Sequence, residues 1–163
     1  MSSKGKVVAI VQARLGSSRL PLKSLLCLRD VPVIDWVTRR LGACARLDSI
    51  MVAVPDTPLD AVLLEHLRRR GIPCMAGPED DVLARFCQAA QLADAGLVVR
   101  VCADNPLIWS GAVDRLVDFY RQGHWDYAYN HIPRNNLWPD GLGAERLSRE
   151  LLEDMGRKAT QPS

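Results

Sequence analysis

No stretch of this 163-residue chain approaches the roughly 20 apolar residues of a membrane span. The apolar run 7–11 after Lys4-Gly5-Lys6 is too short for a signal-peptide core, so the sequence predicts a cytoplasmic protein without a membrane partner. Excess charge of one sign is also missing. With 21 basic and 19 acidic residues the formal net charge is +2, too little for a general nucleic-acid surface, so any anion site has to be local. The five cysteines form no Cys-x-x-Cys pair and have no histidine at zinc spacing, which points to reduced, buried thiols rather than a disulfide frame or a zinc finger. Neither a Gly-x-x-x-x-Gly-Lys-Ser/Thr loop nor a Gly-x-Gly-x-x-Gly turn occurs. The three histidines have no metal-ligand spacing and read as solvated or hydrogen-bonded.

What the chain does have is alternation. At 48% hydrophobic and 25% charged residues it suits one soluble domain. Short apolar runs at 7–13, 49–54, 73–76 and 97–102 read as buried parallel strands. Helical patterns lie between and after them: 35–45, 58–70 (capped by Asp56 or Thr57 and stopped at Gly71), 79–94, and 110–121. This order predicts an α/β fold with a mainly parallel sheet and helices on both faces. In the region 125–147 the runs 125–130 and 142–147 are both candidate strands, of which one is expected to join the sheet antiparallel, followed by a helix over 149–155 capped by Ser148.

The most informative stretch is Val11-Gln12-Ala13-Arg14-Leu15-Gly16-Ser17-Ser18-Arg19-Leu20-Pro21-Leu22-Lys23. It leaves the carboxyl end of the first strand, where open α/β sheets bind ligands. Three cations (Arg14, Arg19, Lys23), two hydroxyls and Gly16 suit the neutralisation of a polyphosphate. The alternative reading is a solvated surface loop. A second feature is Asp104, where the strand 97–102 runs into Ala103-Asp104-Asn105-Pro106. A carboxylate on the same sheet edge as the basic loop is placed to hold Mg²⁺ against phosphates, or else to make a turn. In Gly77-Pro78-Glu79-Asp80-Asp81-Val82-Leu83-Ala84-Arg85, Glu79 and Asp80 complement a helix dipole. The run Trp138-Pro139-Asp140-Gly141-Leu142-Gly143-Ala144-Glu145 is by itself a turn signal.

Together these runs resemble the sugar cytidylyltransferases, the family of the CMP-sugar-acid synthetases, and in particular the branch named for spore-coat polysaccharide biosynthesis. The resemblance covers about 6–155. It implies a three-layer α/β/α, Rossmann-like nucleotidyltransferase fold that moves CMP from CTP to a sugar or sugar acid, releasing pyrophosphate, with Mg²⁺ as cofactor. It implies nucleotide contacts at Ala13, Arg14, Gly16, Ser17, Ser18, Arg19, Lys23, Arg85 and Asp104. Arg14, Lys23 and Asp104 would be catalytic, Asp104 would hold the metal, and Asp140 and Glu145 would meet the sugar. The branch commonly reads Pro-Asp-Gly-Leu-Asp-Val-Glu where this chain has Gly143, and glycine offers no side chain to a metal or a sugar hydroxyl. Family members also continue past this chain's end, with further carboxylates and, in several branches, dimer contacts. The expected organisation is one domain over 1–156, lacking the family's C-terminal part, and a disordered tail over 157–163, with a homodimer as one option. Two alternatives stay open: a nucleotide-binding partner without catalysis, and a glycosyltransferase, though its usual Asp-x-Asp is absent.

Overall fold

The computed structural model describes residues 5–131 and 141–159. The chain runs β1 (Lys6–Gln12), a 3₁₀ turn (Lys23–Leu25), β2 (Cys27–Leu28), β3 (Val31–Pro32), α1 (Val33–Gly42), β4 (Ser49–Pro55), α2 (Ala61–Arg69), β5 (Cys74–Gly77), α3 (Val82–Leu92), β6 (Ala95–Cys102), α4 (Ser110–Gln122), β7 (Tyr127–Tyr129), β8 (Glu145–Ser148) and α5 (Arg149–Lys158). Six strands form one sheet in the order β5-β4-β1-β6-β8-β7, and the first four are mutually parallel. β8 pairs antiparallel with β6, and β7 antiparallel with β8. Both candidate runs, 125–130 and 142–147, thus contribute a strand where one was expected, β8 joining β6 directly and β7 joining through β8.

β1 lies at the centre, and Val7, Val8, Ala9, Ile10 and Val11 are all fully buried. Its side chains alternate between two cores. Val7, Ala9 and Val11 pack with residues of α1, α2 and α4, whereas Val8 and Ile10 pack with Phe86, Ala89 and Ala90 of α3 and Leu152 of α5. Each of the larger of these side chains, valine, isoleucine, leucine or phenylalanine, contributes roughly 1.5–3 kcal/mol when removed from water. The sheet is thus the middle of three layers. From β1 the chain steps outward to β4 and β5, then returns to the other side of β1 with β6. The loops leaving the carboxyl ends of β1 and β6 rise next to each other there, at the switch point of the strand order, where open α/β sheets bind ligands in the crevice outside the strand ends.

Local departures from the expected elements have physical causes. α2 starts at Ala61, not at residue 58, because Thr57 and Asp60 bond each other ahead of the helix (Thr57 Oγ1 to Asp60 Oδ2, 2.7 Å). It stops where expected, at Gly71, whose φ of +67° suits a residue without a Cβ. α3 starts at Val82, since the Asp81 carboxylate accepts from the Ala84 amide at 2.8 Å as an N-cap worth about 1 kcal/mol. Glu79 and Asp80 therefore stand before the helix, not in its first turn. Ser148 caps α5 as expected, accepting from Leu151 N at 3.1 Å. That helix continues through Arg157 and Lys158, the first two residues of the expected tail 157–163, because both side chains pair with Asp154 one turn back; 160–163 lie outside the described residues. The β2–β3 hairpin was not expected, and Cys27, which opens its first strand, is exposed, contrary to the expectation of buried thiols. All five cysteines are free, and burial raises the thiol pKa of Cys44 to about 12. Among the described residues no helix is long and apolar enough to cross a membrane.

Candidate active site

The basic loop is folded back on itself from both ends. The Leu15 amide donates to Asp60 Oδ1 at 2.7 Å, and Asp60 is buried beneath it at the start of α2. The Leu15 carbonyl accepts from Ser17 N at 2.8 Å and from Leu22 N at 3.0 Å, closing residues 15–22 into a tight excursion. Leu22 has φ +60°, a left-handed conformation that costs a leucine about 1–2 kcal/mol and turns the chain into the 3₁₀ turn opened by Lys23. Gly16, Ser18 and Arg19 stay exposed at the tip, Arg14 is exposed at the root, and Ala13 is buried beneath it. The loop is thus a fixed frame presenting cations to solvent.

The structure brings Lys23 of this loop onto Asp104 of the loop after β6, as an Nζ–Oδ2 ion pair. The Ala103 amide donates to Gln12 O at 3.0 Å, so the two loops leave the sheet side by side. The pair is only partly shielded, at 27% and 43% side-chain exposure, so breaking it costs no more than about 1 kcal/mol. Among the described residues no three histidine, cysteine, aspartate or glutamate side chains cluster to hold a metal. A lone carboxylate of this kind suits Mg²⁺, which retains waters and takes its remaining ligands from substrate phosphates.

Arg85 is placed differently from the sequence expectation of a nucleotide contact. It is 1% exposed, and its Nη1 donates to the Pro78 carbonyl and, at 3.2 Å, to the Glu79 carbonyl. Burial, and then the neighbouring Arg14 charge, lower its pKa from the ordinary value. Arg85 therefore holds the 78–79 loop in place after β5.

Glu145 likewise has a partner inside the sheet. Arg100, its register partner on β6, donates from Nη1 to both Glu145 oxygens at 2.7 and 2.8 Å, and from Nη2 to Gln12 Oε1 at 3.3 Å. Burial works against the Arg100 charge, but the Glu145 hydrogen bond outweighs it and the pKa is raised. His131 Nε2 lies 3.5 Å from Glu145 Oε1. Its ring sits over Gly143, where any Cβ would run into it. Asp140, the other sugar-contact candidate, lies outside the described residues. The sequence alone gives no site role to Gln12, Arg100 or Asp60, and reads His131 only as solvated or hydrogen-bonded. A lone arginine inside the apolar strand 95–102 was the available signal for Arg100; the other three depend on contacts between distant segments.

The family described as cytidylyltransferase matches residues 8–133. The spore coat polysaccharide biosynthesis protein SpsF of Bacillus subtilis is 29% identical over 155 residues, covering 93% of this chain and 62% of that protein. A 3-deoxy-manno-octulosonate cytidylyltransferase of Acidobacterium capsulatum is 31% identical over 129 residues, 78% of this chain and 51% of that protein. Among solved structures, a cytidylyltransferase from Leptospira borgpetersenii matches with a TM-score of 0.87 at 28% identity, over 96% of this chain and 66% of that one. The chain spans 51% to 62% of the length of the two curated relatives it matches here.

Proposed function

The chain belongs to the cytidylyltransferase family, and from that premise we propose that it transfers CMP from CTP to a sugar or sugar acid, for surface polysaccharide, with release of pyrophosphate. The observation that carries this reading is the Lys23–Asp104 pair, which joins the basic loop to a carboxylate at the switch point of the sheet. In this reading Arg14, Arg19 and Lys23 neutralise the phosphates that leave as pyrophosphate, while Ser17, Ser18 and the backbone around Gly16 orient them. Lys23 exchanges Asp104 for the triphosphate, which frees the carboxylate for Mg²⁺. The ion, when bound, withdraws charge from the phosphate oxygens. The sugar hydroxyl then attacks the α-phosphorus in line with the departing pyrophosphate, a step that relies mostly on positioning and charge stabilisation. Glu145 stands at the edge that the sugar approaches.

A second reading, binding of the nucleotide without transfer, is favoured by the His131 ring over Gly143, which fills the space where the spore-coat branch has an aspartate side chain. Pyrophosphate release in the presence of Mg²⁺ separates the two. Release that requires both CTP and a sugar acid is the expected result. Mg²⁺-dependent CTP binding with no release would favour the second reading. A larger thermal shift with ATP or GTP than with CTP would overturn the cytidylyl assignment. Asp104→Asn keeps the side-chain shape and is expected to abolish the Mg²⁺ enhancement of CTP binding; an unchanged enhancement would reduce Asp104 to a turn residue.

A further inference from the structure

Gln12 ends β1 at the root of the crevice, and by strand alternation its side chain emerges on the α3 side, in line with Val8 and Ile10. The Arg100 guanidinium is on that side too, 5.9 Å from the Phe86 ring of α3. A glutamine amide is ordinarily free to present either end. Here Arg100 has only donors to offer, so Gln12 must turn its carbonyl toward Nη2 at 3.3 Å. The NH₂ group is thereby turned away from Arg100. Arg100 is itself held by both oxygens of Glu145, whose carboxylate also takes a hydrogen bond from Tyr127. The outcome is a half-buried amide with a fixed donor end at the sheet edge, paired in register with Cys102 and two residues before Arg14.

Lys23 and Asp104 mark the phosphate end of the crevice, which leaves its root to the nucleoside. Cytosine carries two adjacent acceptors, O2 and N3. Uracil keeps O2 but carries a hydrogen on N3, so a fixed NH₂ group meets a donor there. We propose that Gln12, oriented by Arg100 and Glu145, reads the acceptor edge of the pyrimidine and sets the preference for CTP over UTP. This rests on the nucleotidyl-transfer reading and deepens it. Gln12 is the specificity-determining residue. Glu145 acts through Arg100 as a positioning residue.

The test is calorimetric titration of the whole chain with CTP, UTP and 2′-deoxy-CTP, each with Mg²⁺. Gln12→Glu still accepts from Arg100 but loses the donor, and its added charge repels both ribonucleotides alike, so the CTP-to-UTP affinity ratio isolates the reading of the ring. That ratio is expected to fall about tenfold, the worth of one hydrogen bond. Gln12→Ala, which adds no charge, should lower it similarly, and Glu145→Ala should lower it by releasing Arg100. Thermal melts of each variant report whether the fold persists. A wild type that prefers CTP beside Gln12 variants that keep the same ratio would overturn this inference and leave the transfer reading standing. If discrimination against 2′-deoxy-CTP collapses while the CTP-to-UTP ratio holds, the amide reads the ribose and the inference is wrong. A wild type without preference for CTP would overturn the cytidylyl reading and this inference with it.

Discussion

Lys23 sits between two demands: in the free protein its charge answers Asp104, and in the proposed complex it answers a triphosphate. Because the pair is partly solvated, its loss costs little, whereas a charge-assisted contact to phosphate is worth about 1.5–3 kcal/mol. Lys23→Ala and Arg14→Ala are therefore expected to weaken CTP binding by that amount and CMP binding far less. Calorimetry with both ligands checks this, and equal losses would mean that neither residue faces the β- and γ-phosphates. At this scale the sequence was informative about charge and blind to partnership. Arg14, Arg19 and Lys23 could be picked out by type and order. That Asp60 would anchor Leu15 from 45 residues away, or that Arg85 would be spent on two carbonyls, depends on the folded chain.

Elements were legible where a run was long and mostly apolar. β1, β4 and β6 begin and end within two residues of the expected runs, since strands buried on both faces tolerate little else. The β2–β3 hairpin escaped notice because strands of two residues each carry no periodicity. β8 was legible only roughly, within the run 142–147: it starts three residues later, at Glu145, and it carries a charged residue, Arg146, at a core position. Arg146 is 0% exposed, its three guanidinium nitrogens have no hydrogen-bond partner, and its only described compensation is the Tyr120 ring 3.8 Å from Cζ. Burial pulls its pKa down to about 10. A desolvated cation–π contact contributes about 2 kcal/mol or somewhat more, against a desolvation cost of several. Arg146→Met is thus expected to stabilise the protein by more than about 1 kcal/mol, seen as a higher denaturation midpoint. A lower midpoint would mean that the guanidinium is better compensated than these contacts indicate.

Across the whole molecule, one clamp ties two helices on the same face of the sheet. Asp35 of α1, 2% exposed, meets His66 Nε2 at 2.7 Å and Arg70 Nε at 2.9 Å, both reached from α2. Burial alone would raise the Asp35 pKa, but the bonds from His66 and then Arg70 outweigh it, and the value falls below the ordinary 3.8. The ionised form is thus favoured by folding. Its contribution is complete above pH 3.8 and is lost as pH falls through the lower folded value. Asp35→Asn is expected to lose about 1.5–3 kcal/mol at neutral pH and to show a shallower acid decline in urea unfolding from pH 7 to about pH 2. A decline as steep as wild type would place the acid sensitivity elsewhere. A different constraint attaches to the His131 ring over Gly143. The two positions share one volume and cannot both be filled, so they have to change in sequence. A side chain at 143 is accessible only after the imidazole has been trimmed or displaced, and while His131 remains as placed, the glycine has no viable single-step neighbour. A direct route to an aspartate at 143 is therefore closed for as long as His131 keeps its place.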